Sequence, residues 1–121
     1  MKKNPREMLQ EIMNGYEVME QNDSENTDAF KNFNSTAVKP GALDAKTKQL
    51  MCASIALATN SEYCIVGRIY YAFKEGATRQ ELIEASAVAR LMGGSLVMGN
   101  NMTLFYETID TFAPDFGQSI D

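Results

Sequence analysis

Apolar residues recur at three- and four-residue intervals along this chain, and period-two alternation flanked by turn residues is absent. Such a chain can bury its apolar groups only as stripes on helices, so the pattern predicts an all-α fold. Asn4 followed by Pro5 is an N-cap with proline at the first helical position. Met8, Leu9, Ile12, Met13, Tyr16 and Met19 then form one stripe, which ends in the polar, acidic segment Gln21 to Asn26, expected to be a loop. Thr27 or Asp28 is expected to cap a short helix carrying Phe30 and Phe33, and Pro40-Gly41 breaks the chain.

Asp44 is the expected N-cap of a helix reaching about Thr59; it is apolar nearly all round from Leu50 to Ala58, the mark of a buried helix. After a break at Asn60-Ser61 a helix runs from Glu62 to Glu75, with Gly76 where a C-cap glycine belongs. Thr78-Arg79-Gln80-Glu81 is a capping box opening a helix that Gly93-Gly94 ends. A last helix holds Leu96, Val97, Met102, Phe105, Tyr106 and Ile109 before Pro114. The expectation is a bundle of five or six helices.

At 121 residues the chain has the length of one domain, taken here as residues 1–121. Residues 1–26 are the least integrated part: they pack on their own chain or form an arm on a neighbouring subunit. Eleven Lys and Arg against sixteen Asp and Glu, a net charge of −5, argue against nucleic-acid binding. No stretch approaches the roughly 18 unbroken apolar residues of a membrane span, and the start of the chain lacks a signal-like apolar region. A cytoplasmic protein with reduced thiols is expected.

The chain has no histidine. That removes Ser-His-Asp and Cys-His catalysis, imidazole general bases and Cys2His2 zinc sites. Two cysteines, Cys52 and Cys64, are too few for a structural zinc site, and no metal or cofactor is expected. Cys52 lies in the most apolar helix and is expected in the core. A bridge to Cys64 is unfavoured, because the two stand at different heights above the turn at Asn60.

The informative stretch is Ser61-Glu62-Tyr63-Cys64-Ile65-Val66-Gly67-Arg68. With Asn60 or Ser61 as cap, Cys64 falls in the first turn, where free N–H groups and the macrodipole favour a thiolate. Arg68, four residues on, and Ser61, three residues back, share that face. The alternative is a small, buried, inert cysteine. Glu84 could line the same pocket or face solvent, and one of Tyr70 and Tyr71 could face it.

Lys46 to Leu50, Ser61 to Ile65 and Gly76-Ala77-Thr78-Arg79-Gln80-Glu81-Leu82-Ile83-Glu84-Ala85 together resemble the carboxymuconolactone decarboxylase family, which includes the alkyl hydroperoxidase D-like proteins. The resemblance runs from about Val38 to Ala113 and implies a hydroperoxidase D-like helical bundle that assembles as a homo-oligomer, a trimer or hexamer. In its redox branch the family carries Cys-x-x-Cys-x-x-x-His with an upstream glutamate. Those positions fall on Ser61, Cys64, Arg68 and Gln49, so only the second cysteine is kept. A serine cannot join an intramolecular disulfide, arginine cannot relay protons near neutral pH, and glutamine cannot take one. The resemblance thus implies a one-cysteine, thiol-dependent peroxidase or oxidoreductase using an external thiol reductant. The alternatives are a non-catalytic binder of small anions through Arg68 and, behind both, a lactone decarboxylase.

Overall fold

A computed structural model describes residues 3–119, so the extreme ends of the expected domain lie outside the described residues. Among the described residues there are six α-helices and no strand: α1 Pro5–Asn22, α2 Ser24–Val38, α3 Ala45–Ala58, α4 Glu62–Lys74, α5 Arg79–Gly93 and α6 Asn100–Phe112. Short 3-10 turns follow α5 (Gly94–Leu96) and α6 (Ala113–Phe116). None of these helices is long and apolar enough to cross a membrane.

Most boundaries follow from the caps. The Asn4 side chain accepts from the Glu7 N–H, Asp44 from the Thr47 N–H and Thr78 from the Glu81 N–H, while Glu81 accepts from the Thr78 N–H in return. Gly76 takes φ +91°, a left-handed conformation open to glycine, and closes the α4–α5 turn. Gln118 braces that turn, accepting from the Arg79 N–H and donating to the Ala77 carbonyl, each at 2.7 Å.

Three expectations are corrected. The segment from Gln21 to Asn26 is not a loop: Asp23 alone interrupts the helices, and its carboxylate accepts from the Asn26 N–H, so α2 starts at Ser24. A single capping carboxylate does the work expected of six polar residues. Helix α3 is not buried all round, for Ala53, Ala56 and Leu57 face the core while Met51 and Ile55 stand exposed. Leu96 and Val97 precede the last helix, since the Gly94–Leu96 turn intervenes.

Helix α4 lies centrally, packed on α3, α6 and α1. Its Ile65, Ile69 and Phe73 meet Leu57, Leu82, Phe105, Ile109 and Phe112 in one core. Helix α1 packs on its own chain, with Pro5 and Met8 buried. The Arg6 guanidinium holds both carboxylate oxygens of Asp115, at 2.9 and 2.8 Å, and lies 5.3 Å from the centre of the Phe112 ring.

Candidate functional site

Helix α4 presents Cys64, Arg68 and Tyr71 along one face, at i, i+4 and i+7. The face looks into a cavity of about 620 Å³ walled by Leu9, Ile12, Met13 and Tyr16 of α1 and by Phe30, Lys31, Asn34 and Ser35 of α2. Gly67 forms part of the wall, and a Cβ there would come within 3.4 Å of Ile12 Cδ1, so the missing side chain lets α1 approach α4 closely. The volume lies within the range of about 300–1,000 Å³ usual for small-molecule sites.

The structure brings three of the four expected site residues together. Cys64 is the third residue of α4, exposed and with a free thiol, rather than buried in the core. Arg68 is half-buried; its Nη2 donates to Asn34 Oδ1 at 2.7 Å and its Nη1 to Gln49 Oε1 at a longer 3.5 Å. Gln49 is buried behind the guanidinium rather than open to the cavity. Ser61 is the capping residue of α4 by position, but its side chain makes no capping hydrogen bond and does not line the cavity.

Other candidates separate cleanly. Cys52 is half-buried rather than in the core, and its thiol is free. Tyr71 lines the cavity, whereas Tyr70 packs edge-on against Phe112 and Phe116. Glu84 is exposed, accepts from Gln80 on its own helix, and takes no part in the cavity. Asn34 was not among the expected site residues. Its one local signal is its place four residues after Phe30, on the same helix face.

The charges are distributed unevenly. The cavity walls include two cations, Lys31 and Arg68, and no Asp or Glu, in a chain of net charge −5. Lys31 is paired with Glu20 at 3.3 Å and lies over the Tyr16 ring. The hydrogen bonds of Arg68 go to neutral amide oxygens. Its charge therefore remains available to an incoming anion, which a guanidinium can hold by two parallel bonds. At the rim, Tyr63 donates to Glu11 at 2.8 Å, and Lys3 pairs with the same carboxylate. Lys3 and then Tyr63 hold the Glu11 carboxyl below its ordinary value, and that bond to Glu11 raises the Tyr63 phenol.

The all-helical bundle defines the class of fold, and comparison with known proteins names the family. Residues 24–99 match the carboxymuconolactone decarboxylase family, and the chain belongs to that family. It is 35% identical over 85 residues to uncharacterized protein 4 in the cox locus of Paracoccus denitrificans, covering 69% of this chain and 77% of that one. An uncharacterized protein of Cupriavidus necator is 30% identical over 66 residues, 54% of this chain and 58% of that one. The fold is similar to a carboxymuconolactone decarboxylase family protein of Legionella pneumophila, in its apo crystal form, with a TM-score of 0.79 and 28% identity over 93% of this chain and 96% of that one. A family member of Thermotoga maritima, named as a candidate for involvement in an antioxidative response, gives a TM-score of 0.74 and 28% identity over 93% and 97%.

Proposed function

We propose that this protein is a one-cysteine, thiol-dependent oxidoreductase that reduces small organic hydroperoxides at Cys64. The observation that carries the reading is the exposed Cys64 thiol in the first turn of α4, one turn from Arg68 and opening on the same largely apolar cavity. The free N–H groups of the helix start lie beside the sulfur and the guanidinium lies one turn on, where negative charge moves from sulfur to the departing oxygen during attack. The Cys64 thiolate attacks the distal peroxide oxygen; an S–O bond forms, the O–O bond breaks, and the departing alkoxide takes a proton from water. The cysteine is left as a sulfenic acid. An external low-molecular-weight thiol displaces water from it, and a second releases the Cys64 thiol and the disulfide of the reductant. No resolving cysteine stands at position 61, so the outside thiol is required.

The test is peroxide consumption with cumene hydroperoxide and an excess of external thiol. Activity is expected in the parent protein and absent in Cys64→Ser, with a one-oxygen mass gain at Cys64 when the thiol is withheld. No turnover in the parent protein overturns the reading.

A second reading is favoured by one observation, the Arg68 charge framed by the neutral amides of Asn34 and Gln49. A protein that binds a small organic anion there needs no thiol chemistry. Lactone decarboxylation stands behind both, because Arg68 can hold a carboxylate but cannot transfer the proton. Under either reading the protein self-associates, as a trimer or hexamer, and works in the reducing cytoplasm. Exposed apolar residues on α3 and α5, Met51, Ile55, Val88, Leu91 and Met92, supply a surface for that contact.

A further inference from the structure

The cavity beside Arg68 has a neighbour across Phe30. A second cavity of about 650 Å³ lies next to it along the α1–α2 hairpin, and Ile12, Tyr16, Phe30 and Tyr63 wall both. End to end, the two adjoining cavities line up as a groove with a charged end and a long apolar run, shared side chains standing where they meet. At the charged end stands Arg68, bonded only to amides; at the far end the groove passes Gly15 and Met19 toward Asn26. A Cβ on Gly15 would meet nothing within 4 Å, so α1 leaves open space there. The two carboxylates of the second cavity are already engaged, Glu11 with Lys3 and Tyr63, and Asp23 in capping α2.

We propose that the groove binds an unbranched medium-chain monocarboxylate, with its carboxylate on Arg68 and its alkyl chain laid between α1 and α2 toward Gly15. The length follows from the helix. Asn34, at the Arg68 end, and Asn26 are eight residues apart on α2, which at 1.5 Å per residue is about 12 Å. An extended alkyl chain advances roughly 1.25 Å per carbon, given C–C bonds of about 1.5 Å, so about eight to ten carbons fill that span. An anionic head is selected because Arg68 is bonded to amides and no carboxylate stands in the described walls at that end, the charge of Lys31 being met by Glu20; an ammonium head would meet like charge at Arg68. The inference rests on the cavity of the proposed thiol chemistry and names the class of molecule that cavity takes.

The test is calorimetric titration of the intact protein, without oxidant, with hexanoate, octanoate, decanoate, octan-1-ol and octylamine below their micellar concentrations. Affinity is expected to rise roughly three- to fourfold per methylene up to decanoate, and octylamine to bind at least tenfold more weakly than octanoate. Arg68→Met should close the gap between octanoate and octan-1-ol. Gly15→Leu, which adds a good helix former to α1, should remove most of the gain between hexanoate and decanoate. Gly15→Met, with circular dichroism on both variants, guards against a folding artefact. Affinities independent of chain length, octylamine binding as tightly as octanoate, or an Arg68→Met protein with parental octanoate affinity would each overturn the proposal. A protein that binds decanoate but consumes no hydroperoxide overturns the thiol reading alone. One that consumes hydroperoxide without any dependence on chain length overturns the groove alone.

Discussion

Asn34 and Arg68 stand 34 residues apart in the chain and 2.7 Å apart in the fold, and their bond decides where the guanidinium points. Without the Asn34 amide, Arg68 would keep only the long contact to Gln49. Asn34→Ala is therefore expected to lower stability by about 1 kcal/mol, the usual net worth of a hydrogen bond and below that of a buried one to a charged group, because the pair is half-buried. Urea denaturation checks this, and an unchanged midpoint would show that the bond contributes nothing. Cys64, Arg68 and Gln49 are legible in the sequence because helix periodicity and the family motif place them. Asn34 is not, because its role depends on how the α1–α2 hairpin folds back, which no local pattern encodes. Ser61 shows the opposite failure, a residue in the right position whose hydroxyl makes no capping bond.

Helix ends carry the clearest local signals, and the boundaries they predict hold best. The Thr78-Arg79-Gln80-Glu81 box is realised with both of its reciprocal bonds. Thr78→Ala should cost about 1 kcal/mol, the usual penalty for losing such a cap, read from the thermal or urea midpoint. Gly93 closes α5 for a different reason. A Cβ there would sit 2.1 Å from Val97 Cγ2, and Val97 is fully buried. Gly93→Ala is expected to destabilise by about 1–3 kcal/mol through overpacking; a neutral result would mean that Val97 moves freely. The boundaries that the sequence misplaces lie where one residue outweighs its neighbours. Asp23 ends one helix and starts the next, so six polar residues look like a loop and are mostly helix. The exposed side of α3 is hidden for another reason, since a wholly apolar run cannot say which of its faces meets the core.

Across the described residues, four carboxyls are held below their ordinary values: Glu11 by Lys3 and Tyr63, Asp44 by the Thr47 N–H, Glu81 by Lys46 and the Thr78 N–H, and Asp115 by Arg6. A carboxyl lowered on folding adds stability above its unfolded value, and that stability is lost as pH falls through the folded one. Acid unfolding should therefore set in as pH drops through and below the ordinary carboxyl range, about 4. Lys3 and Lys46 are raised by Glu11 and Glu81, so their contribution persists until pH climbs past the ordinary lysine range, about 10.4. Asp44→Asn and Asp115→Asn should each flatten the acid limb of a stability–pH profile, and an unaltered limb would remove these groups from the account. The proposed self-association also belongs to this scale. Leu91 and Met92 are 81% and 79% exposed, and Leu91→Glu is expected to reduce the assembled mass seen by light scattering.

The Arg6–Asp115 clasp places the first turn of α1 beside the 3-10 turn that follows α6. Topologically the bundle is then almost a ring, fastened by a guanidinium instead of a peptide bond. A ring can be opened elsewhere. A circular permutant that links the two ends and begins at Gly41, in the exposed segment between α2 and α3, should fold to the same bundle with every helix intact. A matching helical content and melting transition would show that the order of the helices along the chain matters less than their neighbours.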